Sequence, residues 1–213
     1  MAAEMPASPA PVERPADTPA GGLHIQSSRL LPALFRQPVP QRLRVFEAGP
    51  ANPETIRFFS QVPSRIHVCD LYSEALIREH QTELTGQELK REFQNILGFK
   101  VGTLIDICLF WDVLNYMSRP ALRAFSEAMQ PYVHAGTQAH GFSVLNIKTP
   151  LRNQQYGILD ESSISVRPGR SKQLDYYPHS HEELNDCLSC FDVGRGWLLP
   201  DGRLEILLEA VVG

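Results

Sequence analysis

The sequence predicts an α/β fold in which a doubly wound, mostly parallel sheet closes with an antiparallel hairpin. Short apolar segments alternate with segments of helical periodicity along most of the chain. Residues 104–111 are apolar nearly throughout, as expected of a strand buried on both faces. Near the end, two strand-like segments at residues 194–199 and 203–211 flank a turn that contains Asp201 and Gly202, which predicts a hairpin. The 213 residues suffice for one such domain with a full core.

The composition excludes several classes of function. The chain has 20 basic and 24 acidic residues and no dense basic block, so we expect no nucleic-acid partner. No apolar run approaches the roughly 20 residues that a membrane helix needs, so we expect no membrane partner. The chain begins without a basic region followed by an apolar segment, which predicts a cytoplasmic protein in a reducing environment.

The cysteines and histidines do not predict a metal site. Cys187 and Cys190 form a C-x-x-C pair, but the sequence has no second pair and no histidine at ligand spacing beside it. The seven histidines form no ligand set either. We therefore expect the four cysteines to pack in the core and the protein to bind no metal.

The first forty residues precede the expected domain. Residues 1–22 are rich in alanine and proline and almost free of large apolar side chains, which predicts a disordered tail. Residues 23–41 carry leucines and a phenylalanine at helical spacing, which predicts a lead-in helix that covers an edge. The main domain is expected over residues 42–213, with an irregular insertion at about residues 148–178.

Two predicted strands each lead into a carboxylate. The first, at residues 43–46, precedes Glu47 and a turn that enters a helix near Pro53. The second, at residues 66–69, precedes Asp70. Acids at the tips of neighbouring parallel strands, flanking a strand-to-helix turn, are typical of a nucleoside cofactor held at the carboxyl edge of a sheet.

The middle of the chain continues the alternation with one interruption. Residues 73–97 are charged and helical, with a break near Gly86, and contain no clear strand. The third strand of a full doubly wound sheet is therefore expected to be short or missing. After the central strand, a helix is predicted to begin at Ser118, followed by a buried strand at residues 141–147.

The insertion and the last helix complete the prediction. Within the insertion, residues 156–159 and 163–166 are compatible with a hairpin. Ser180 precedes Glu183 by three residues, which is the pattern of a capping box, so a helix is expected to begin there.

This order of elements resembles the class I S-adenosylmethionine-dependent methyltransferases, whose Rossmann-like sheet ends in an antiparallel hairpin. Residues 45–53 look like the first motif of that family, and residues 68–70 look like its ribose-binding acid. Residues 106–116 look like the strand that runs into the reactive face, and residues 197–205 look like the closing strands. The resemblance covers about residues 41–211, nearly the whole domain.

The resemblance implies how S-adenosylmethionine would be held. Glu47 matches the acid that helps to hold the methionine end, and Ala48 and Gly49 follow it in the loop. Gly49 matches the glycine that lets the backbone approach the ligand. Asp70 matches the acid that accepts hydrogen bonds from both ribose hydroxyls, a geometry that suits a carboxylate. Read without the family, Glu47 would be a surface acid and Asp70 a helix cap.

The resemblance also implies where the chemistry would occur. Asp112, just past the central strand, would lie near the sulfonium and the acceptor, with Tyr116 about one turn further on. These two residues are the catalytic candidates, and His140 is a third candidate for a general base. Trp111 would contact the cofactor as a wall of the pocket, although a large aromatic residue in such a run is also typical of core packing.

The chain departs from the family pattern in the loop after the first strand. Ala51 and Pro53 stand where the family usually has further glycines, so the loop gains a methyl group and loses a backbone donor. The function expected is S-adenosylmethionine-dependent methyl transfer to an unidentified small or medium-sized acceptor, which makes the chain an enzyme with a small-molecule substrate. The alternative is an inactive scaffold of the same fold that acts through protein contacts. A nicotinamide oxidoreductase is disfavoured, because Gly49 is the one glycine that fits its G-x-G-x-x-G pattern.

Overall fold

The computed structural model describes residues 22–36, 41–81, 83–146, 148–169 and 174–212. Apart from Gly22, the predicted tail lies outside these residues. The strands are, in chain order, β1 (His24–Ser27), β2 (Leu43–Glu47), β3 (Ser64–Val68), β4 (Ile105–Trp111), β5 (Val133–Ser143), β6 (Gln154–Asp160), β7 (Ser163–Pro168), β8 (Phe191–Leu198) and β9 (Leu204–Ala210).

A six-stranded sheet in the order β3-β2-β4-β5-β9-β8 forms the centre of the fold. The first four strands of that order are parallel, whereas β9 is antiparallel to both of its neighbours. The β8–β9 hairpin turns at Asp201 and Gly202, where Gly202 has a φ of 86° that favours glycine. The predicted α/β fold with a mostly parallel sheet and a closing antiparallel hairpin is confirmed.

Within the described residues, four α-helices connect the strands, and local capping explains where several begin. They are α1 (Pro53–Phe59), α2 (Gly86–Leu97), α3 (Arg119–Met129) and α4 (His181–Cys187). The Asn52 side chain accepts a hydrogen bond from the first turn of α1. Ser180 and Glu183 form the predicted capping box of α4, with each side chain bonded to the backbone of the other residue.

The region between β3 and β4 contains no strand among its described residues, 69–81 and 83–104. A π-helical turn at Leu76–His80 and α2 occupy it instead. The prediction of a short or missing third strand is therefore confirmed. At this end of the sheet, β3 is the edge strand and pairs directly with β2.

Two predicted elements have different bounds in the structure. The strand predicted at residues 141–147 is β5, which begins at Val133 and ends at Ser143. Polar and small residues fill the first half of β5, where side chains are partly exposed, so this half lacks an apolar run. Among the described residues of the lead-in segment, helix is limited to the 3-10 turn Leu31–Phe35, because the residues before it pair with β7 as β1.

A second sheet, in the order β1-β7-β6, covers one side of the central sheet. The predicted hairpin of the insertion is confirmed as β6 and β7. This second sheet, α1 and the 3-10 turn share one apolar core with one face of the central sheet. Helices α2, α3 and α4 pack against the other core, which also contains all four cysteines in buried, unpaired form.

Gly141 in β5 is required by the backbone of the neighbouring strand. A Cβ atom at this position would lie 2.8 Å from the backbone oxygen of Trp111, a residue with a left-handed φ of 51°. We expect Gly141→Ala to lower the free energy of unfolding by about 1–3 kcal/mol, because rigid backbone must move. Urea denaturation measures the loss. Gly86→Ala is the matched control, since nothing lies within 4 Å of a Cβ there, and an equal loss in both variants would contradict the prediction.

Candidate functional site

A cavity of about 360 Å³ lies where β2 and β3 end. Asp70, which is the second residue after β3, borders this cavity. The cavity is lined by Pro50, Asp70, Tyr72, Ser73, Asn153, Gln154 and Gln155. Its lining therefore combines one carboxylate with amide and hydroxyl groups that can fix the orientation of a polar ligand.

One carboxylate oxygen of Asp70 has no donor among the described residues. Its Oδ1 atom is buried and has no hydrogen-bond partner within the described part of the chain. Burial raises the pKa of Asp70, although contacts with Ser73 and with the backbone amide of Tyr72 oppose that shift. A buried carboxylate oxygen without a donor is unfavourable unless a ligand supplies one. The side chain thus meets the requirement for binding a hydroxyl group.

Glu47 lies beside the same edge but is closed off from solvent. It is 1% exposed, and its Oε1 atom accepts hydrogen bonds from the Trp111 indole and from the backbone amide of Gly49. Its Oε2 atom is buried and, among the described residues, has no partner. Burial raises the pKa of Glu47 to about 8, against the effect of those two hydrogen bonds. Glu47 is therefore mostly protonated at neutral pH.

The loop after β2 is covered by aromatic rings. A Cβ atom on Gly49 would lie 3.2 Å from Oε1 of Glu47, 3.4 Å from a Trp111 ring atom and 3.5 Å from a Tyr72 ring atom. Ala48 is fully buried, and its backbone bonds to Leu109 and Leu71 on either side. The backbone at Gly49 is therefore in contact with the protein's own side chains.

Asp112 follows β4 and is fully buried. Its carboxylate accepts hydrogen bonds from the hydroxyl of Tyr72 at 2.6 Å and from that of Tyr156 at 2.8 Å. Arg203 donates in turn to the Tyr156 oxygen at 2.8 Å. Burial raises the pKa of Asp112 to about 6, although the two tyrosines and the charge of Arg203 favour the ionised form. Both oxygens of the predicted catalytic acid are thus occupied by tyrosines of the chain.

Tyr116 and Trp111 pack around this acid. Tyr116 is 1% exposed, its ring meets that of Tyr72 edge to face at 5.7 Å, and its hydroxyl has no partner among the described residues. Trp111 stacks on Tyr156 with ring centroids 5.3 Å apart and an angle of 14° between the planes. Trp111 therefore packs in the core and also donates to Glu47.

The predicted site residues lie close together, but they differ in access. Asp70 borders the cavity, whereas the other predicted residues are buried: Glu47, Ala48, Gly49, Trp111, Asp112 and Tyr116. The sequence reasoning missed Tyr72, Tyr156 and Arg203. Tyr72 was detectable in part, because it follows Asp70 by two residues. Only the tertiary fold brings Tyr156 to Asp112 and Arg203 to Tyr156.

His140 belongs to a separate buried network. Its Nε2 atom lies 2.8 Å from a Glu205 carboxylate oxygen, and both side chains are fully buried. The same carboxylate accepts hydrogen bonds from the Ser28 hydroxyl and from the backbone amides of Arg29 and Leu30. Burial opposes ionisation of Glu205, but His140 and these donors outweigh it and lower its pKa to about 2. This network attaches the lead-in segment to β9 and β5.

The described ranges contain neither a metal cluster nor a membrane-spanning helix. No group of three or more histidine, cysteine, aspartate or glutamate side chains there could hold a metal ion. None of the helices described is both long enough and apolar enough to cross a bilayer.

Protonation of Glu47 predicts a pH dependence of stability. Because its pKa is about 8 in the folded chain and 4.5 is its ordinary value, the unfolded chain releases this proton first as the pH rises. We expect the stability of the wild type relative to Glu47→Gln to fall between pH 5 and pH 8, by at most about 1.4 kcal/mol per pH unit. Urea denaturation of both proteins at pH 5 and at pH 8 measures this difference in the free energy of unfolding. The exposed Glu161→Gln is the control, and an unchanged difference would contradict the prediction.

Comparisons with known proteins give matches among solved structures. No protein-family model matches the chain, and no curated protein matches it. The pyocyanin biosynthetic protein PhzM is 12% identical over 85% of this chain, which spans 54% of that protein, with a TM-score of 0.43. The glycopeptide N-methyltransferase MtfA complexed with S-adenosyl-L-methionine is 12% identical over 85% of this chain and 91% of its own, with a TM-score of 0.42.

A third match is 1,6-didemethyltoxoflavin-N1-methyltransferase of Burkholderia thailandensis, with bound 1,6-didemethyltoxoflavin and S-adenosylhomocysteine. It is 10% identical over 86% of this chain and 76% of its own, with a TM-score of 0.46. At these identities and TM-scores the similarities decide nothing about the site. What the site binds has to be inferred from the residues of this chain.

Proposed function

We propose that this chain binds S-adenosylmethionine at the carboxyl edge of its central sheet and transfers the methyl group to a small or medium-sized acceptor. The observation that carries the proposal is the unpartnered Oδ1 atom of Asp70 beside a cavity of about 360 Å³. Asp70 stands at the position that the family resemblance assigns to the ribose-binding acid. The order of the strands, with the third one missing, agrees with that assignment.

The cavity suits the nucleoside half of the cofactor. Its volume falls in the range of about 300–1,000 Å³ that is usual for small-molecule sites. Asp70 can accept from two neighbouring hydroxyls of a ribose, and the amide side chains of Gln154 and Gln155 supply further donors and acceptors at the wall. Pro50 and the ring of Tyr72 provide apolar surface for a base or sugar.

The methionine half does not fit the arrangement of the described residues. Glu47 and Asp112, which the resemblance assigns to that half, are 1% and 0% exposed. The rings of Tyr72 and Trp111 lie against Gly49, where the amino-acid tail would pass. S-adenosylmethionine supplies an activated methyl group, so the contribution expected of the chain is alignment and exclusion of water. The amino-acid tail of the cofactor cannot reach Glu47 or Asp112 unless the rings of Tyr72 and Trp111 move.

Ligand binding tests the proposal directly. We expect S-adenosylhomocysteine and adenosine each to bind saturably in isothermal titration and to raise the melting temperature, because a ligand that binds the folded form alone stabilises it. Absence of saturable binding for both ligands at millimolar concentration would reject the proposed function. The described residues do not identify a protein-binding surface, so the alternative of an inactive scaffold gains no support from them.

A further inference from the structure

Two tyrosines from different parts of the chain close over one carboxylate. Tyr72 lies in the segment that follows β3, and Tyr156 lies in β6 of the second sheet. Their hydroxyls donate to the two different oxygens of Asp112. The pair therefore joins the second sheet to the carboxyl edge of the central sheet, directly beside the cavity that Tyr72 lines.

Neighbouring side chains hold Tyr156 in this position. The Trp111 ring stacks on its face, and Arg203 donates to its oxygen at 2.8 Å. Arg203 also donates to Asp201 at 2.8 Å and lies 4.9 Å from the centre of the Phe142 ring. The closed arrangement is thus a defined packing state and involves groups on both sheets.

The closed pair separates two acids from the cavity, and among the described residues neither acid forms a direct salt bridge. Asp112 is bonded to neutral hydroxyls, and the Oε2 atom of Glu47 is buried without a partner among the described residues. If the tyrosines moved away, Asp112 would need new donors, because an unpaired buried carboxylate is strongly unfavourable. A ligand tail with positive charge and N–H donors would supply them. Such a tail is the chemical complement of the opened site.

We propose that Tyr72 and Tyr156 form a gate that determines specificity: closed, the site accepts a nucleoside without an amino-acid tail, and the tail enters only after both hydroxyls leave Asp112. This inference rests on the proposed function, since it concerns the same site. Opening has to be driven by the binding free energy of the tail, so the affinity for a tailed nucleoside is lowered by the population of the closed state. Adenosine, which has no tail, binds without this loss.

The first test compares two ligands in single-residue variants. Isothermal titration gives the dissociation constants of S-adenosylhomocysteine and adenosine for the wild type, Tyr72→Phe and Tyr156→Phe. Each variant removes one hydroxyl that stabilises the closed state, so we expect S-adenosylhomocysteine to bind about tenfold more tightly to both variants. Adenosine should bind Tyr156→Phe within about twofold of the wild type, because Tyr156 is not among the residues that line the cavity. Tyr132→Phe is the control, because Tyr132 lies just before the amino-terminal end of β5.

The second test follows the gate without measuring affinity. The chain has two tryptophans, so Trp197→Phe leaves Trp111 as the single fluorophore, and Trp197 is 49% exposed, away from the buried cluster. We expect S-adenosylhomocysteine to shift the emission of Trp111, because opening removes its stacking on Tyr156, and adenosine to leave the emission unchanged. Circular dichroism shows whether Tyr72→Phe or Tyr156→Phe has unfolded. If one of them has, the ligand affinities of the other variant test the gate.

The outcomes separate the two proposals. Equal ligand preference in wild type and both tyrosine variants, with no shift of Trp111 emission by S-adenosylhomocysteine, would overturn the gate while binding itself upholds the proposed function. Failure of both ligands to bind the wild type and every folded variant would overturn the proposed function and the gate with it. The gate would be established if the tyrosine variants gain affinity for S-adenosylhomocysteine but not for adenosine, and if S-adenosylhomocysteine also shifts the emission of Trp111.

Discussion

Asp70→Ala is expected to weaken adenosine binding by about 100-fold. The carboxylate borders the cavity with an unpartnered oxygen, and two hydrogen bonds from ribose hydroxyls to a charged group contribute about 1.5–3 kcal/mol each. Since 1.4 kcal/mol corresponds to tenfold in affinity, their loss reduces binding by two orders of magnitude or more. Isothermal titration of wild type and variant with adenosine measures the change.

The matched control for this variant is Asp186→Ala, which removes an exposed carboxylate from α4 and changes the net charge equally. Its affinity for adenosine should equal that of the wild type. Asp70→Ala also removes the contacts of this carboxylate with Ser73 and with the backbone amide of Tyr72, so circular dichroism has to show that the variant is folded. A dissociation constant within about twofold of the wild type would show that Asp70 does not hold the ligand.

Glu205→Ala is expected to lower the free energy of unfolding by about 3–5 kcal/mol, the largest change in stability that we predict. The substitution leaves His140 buried without its partner and removes the acceptor for Ser28 and for the amides of Arg29 and Leu30. The lead-in segment then loses its attachment to β9. Urea denaturation at pH 7 measures the loss, and Glu205→Gln provides a milder variant if Glu205→Ala does not accumulate as folded protein.

The pH dependence of this effect has a definite sign. The pKa of Glu205 is lowered from 4.5 to about 2 on folding, so its stabilisation is present above pH 4.5 and is lost as the pH falls toward 2. The stability difference between wild type and Glu205→Gln should therefore shrink as the pH falls through this range. Glu209→Gln, an exposed acid on the same strand, is the control. A difference that stays constant from pH 7 to pH 3 would contradict the assignment.

The four acids Glu47, Asp70, Asp112 and Glu205 fall into two groups by their hydrogen bonds. Glu205 and Asp112 have donors from the protein on both carboxylate oxygens. Asp70 and Glu47 each keep one oxygen that has no donor in the described residues. Since a buried acceptor without a donor is costly, the second group is the better indication of a ligand site. This difference separates the structural role of Glu205 from the binding role proposed for Asp70.

Much of the fold was predictable because its signals are local. The apolar run before Glu47, the capping box at Ser180 and the Asp201-Gly202 turn each specify a structure through residues close in sequence. The first half of β5 was missed, because its partly exposed residues have no apolar pattern. The lead-in strand β1 was missed as well, because its pairing with β7 joins residues more than a hundred positions apart.

The sequence by itself determined the order of strands in the central sheet, the lack of a third strand among the described residues and the position of Asp70 at a strand tip, because periodicity and capping act over a few residues. The tertiary structure alone decided that Tyr156 reaches Asp112, that Arg203 reaches Tyr156 and that Glu47 is sealed beneath Trp111. Tyr156 and Asp112 are 44 positions apart, and such contacts form only when two sheets pack together. Access to the site is therefore a property of packing, which no local pattern encodes.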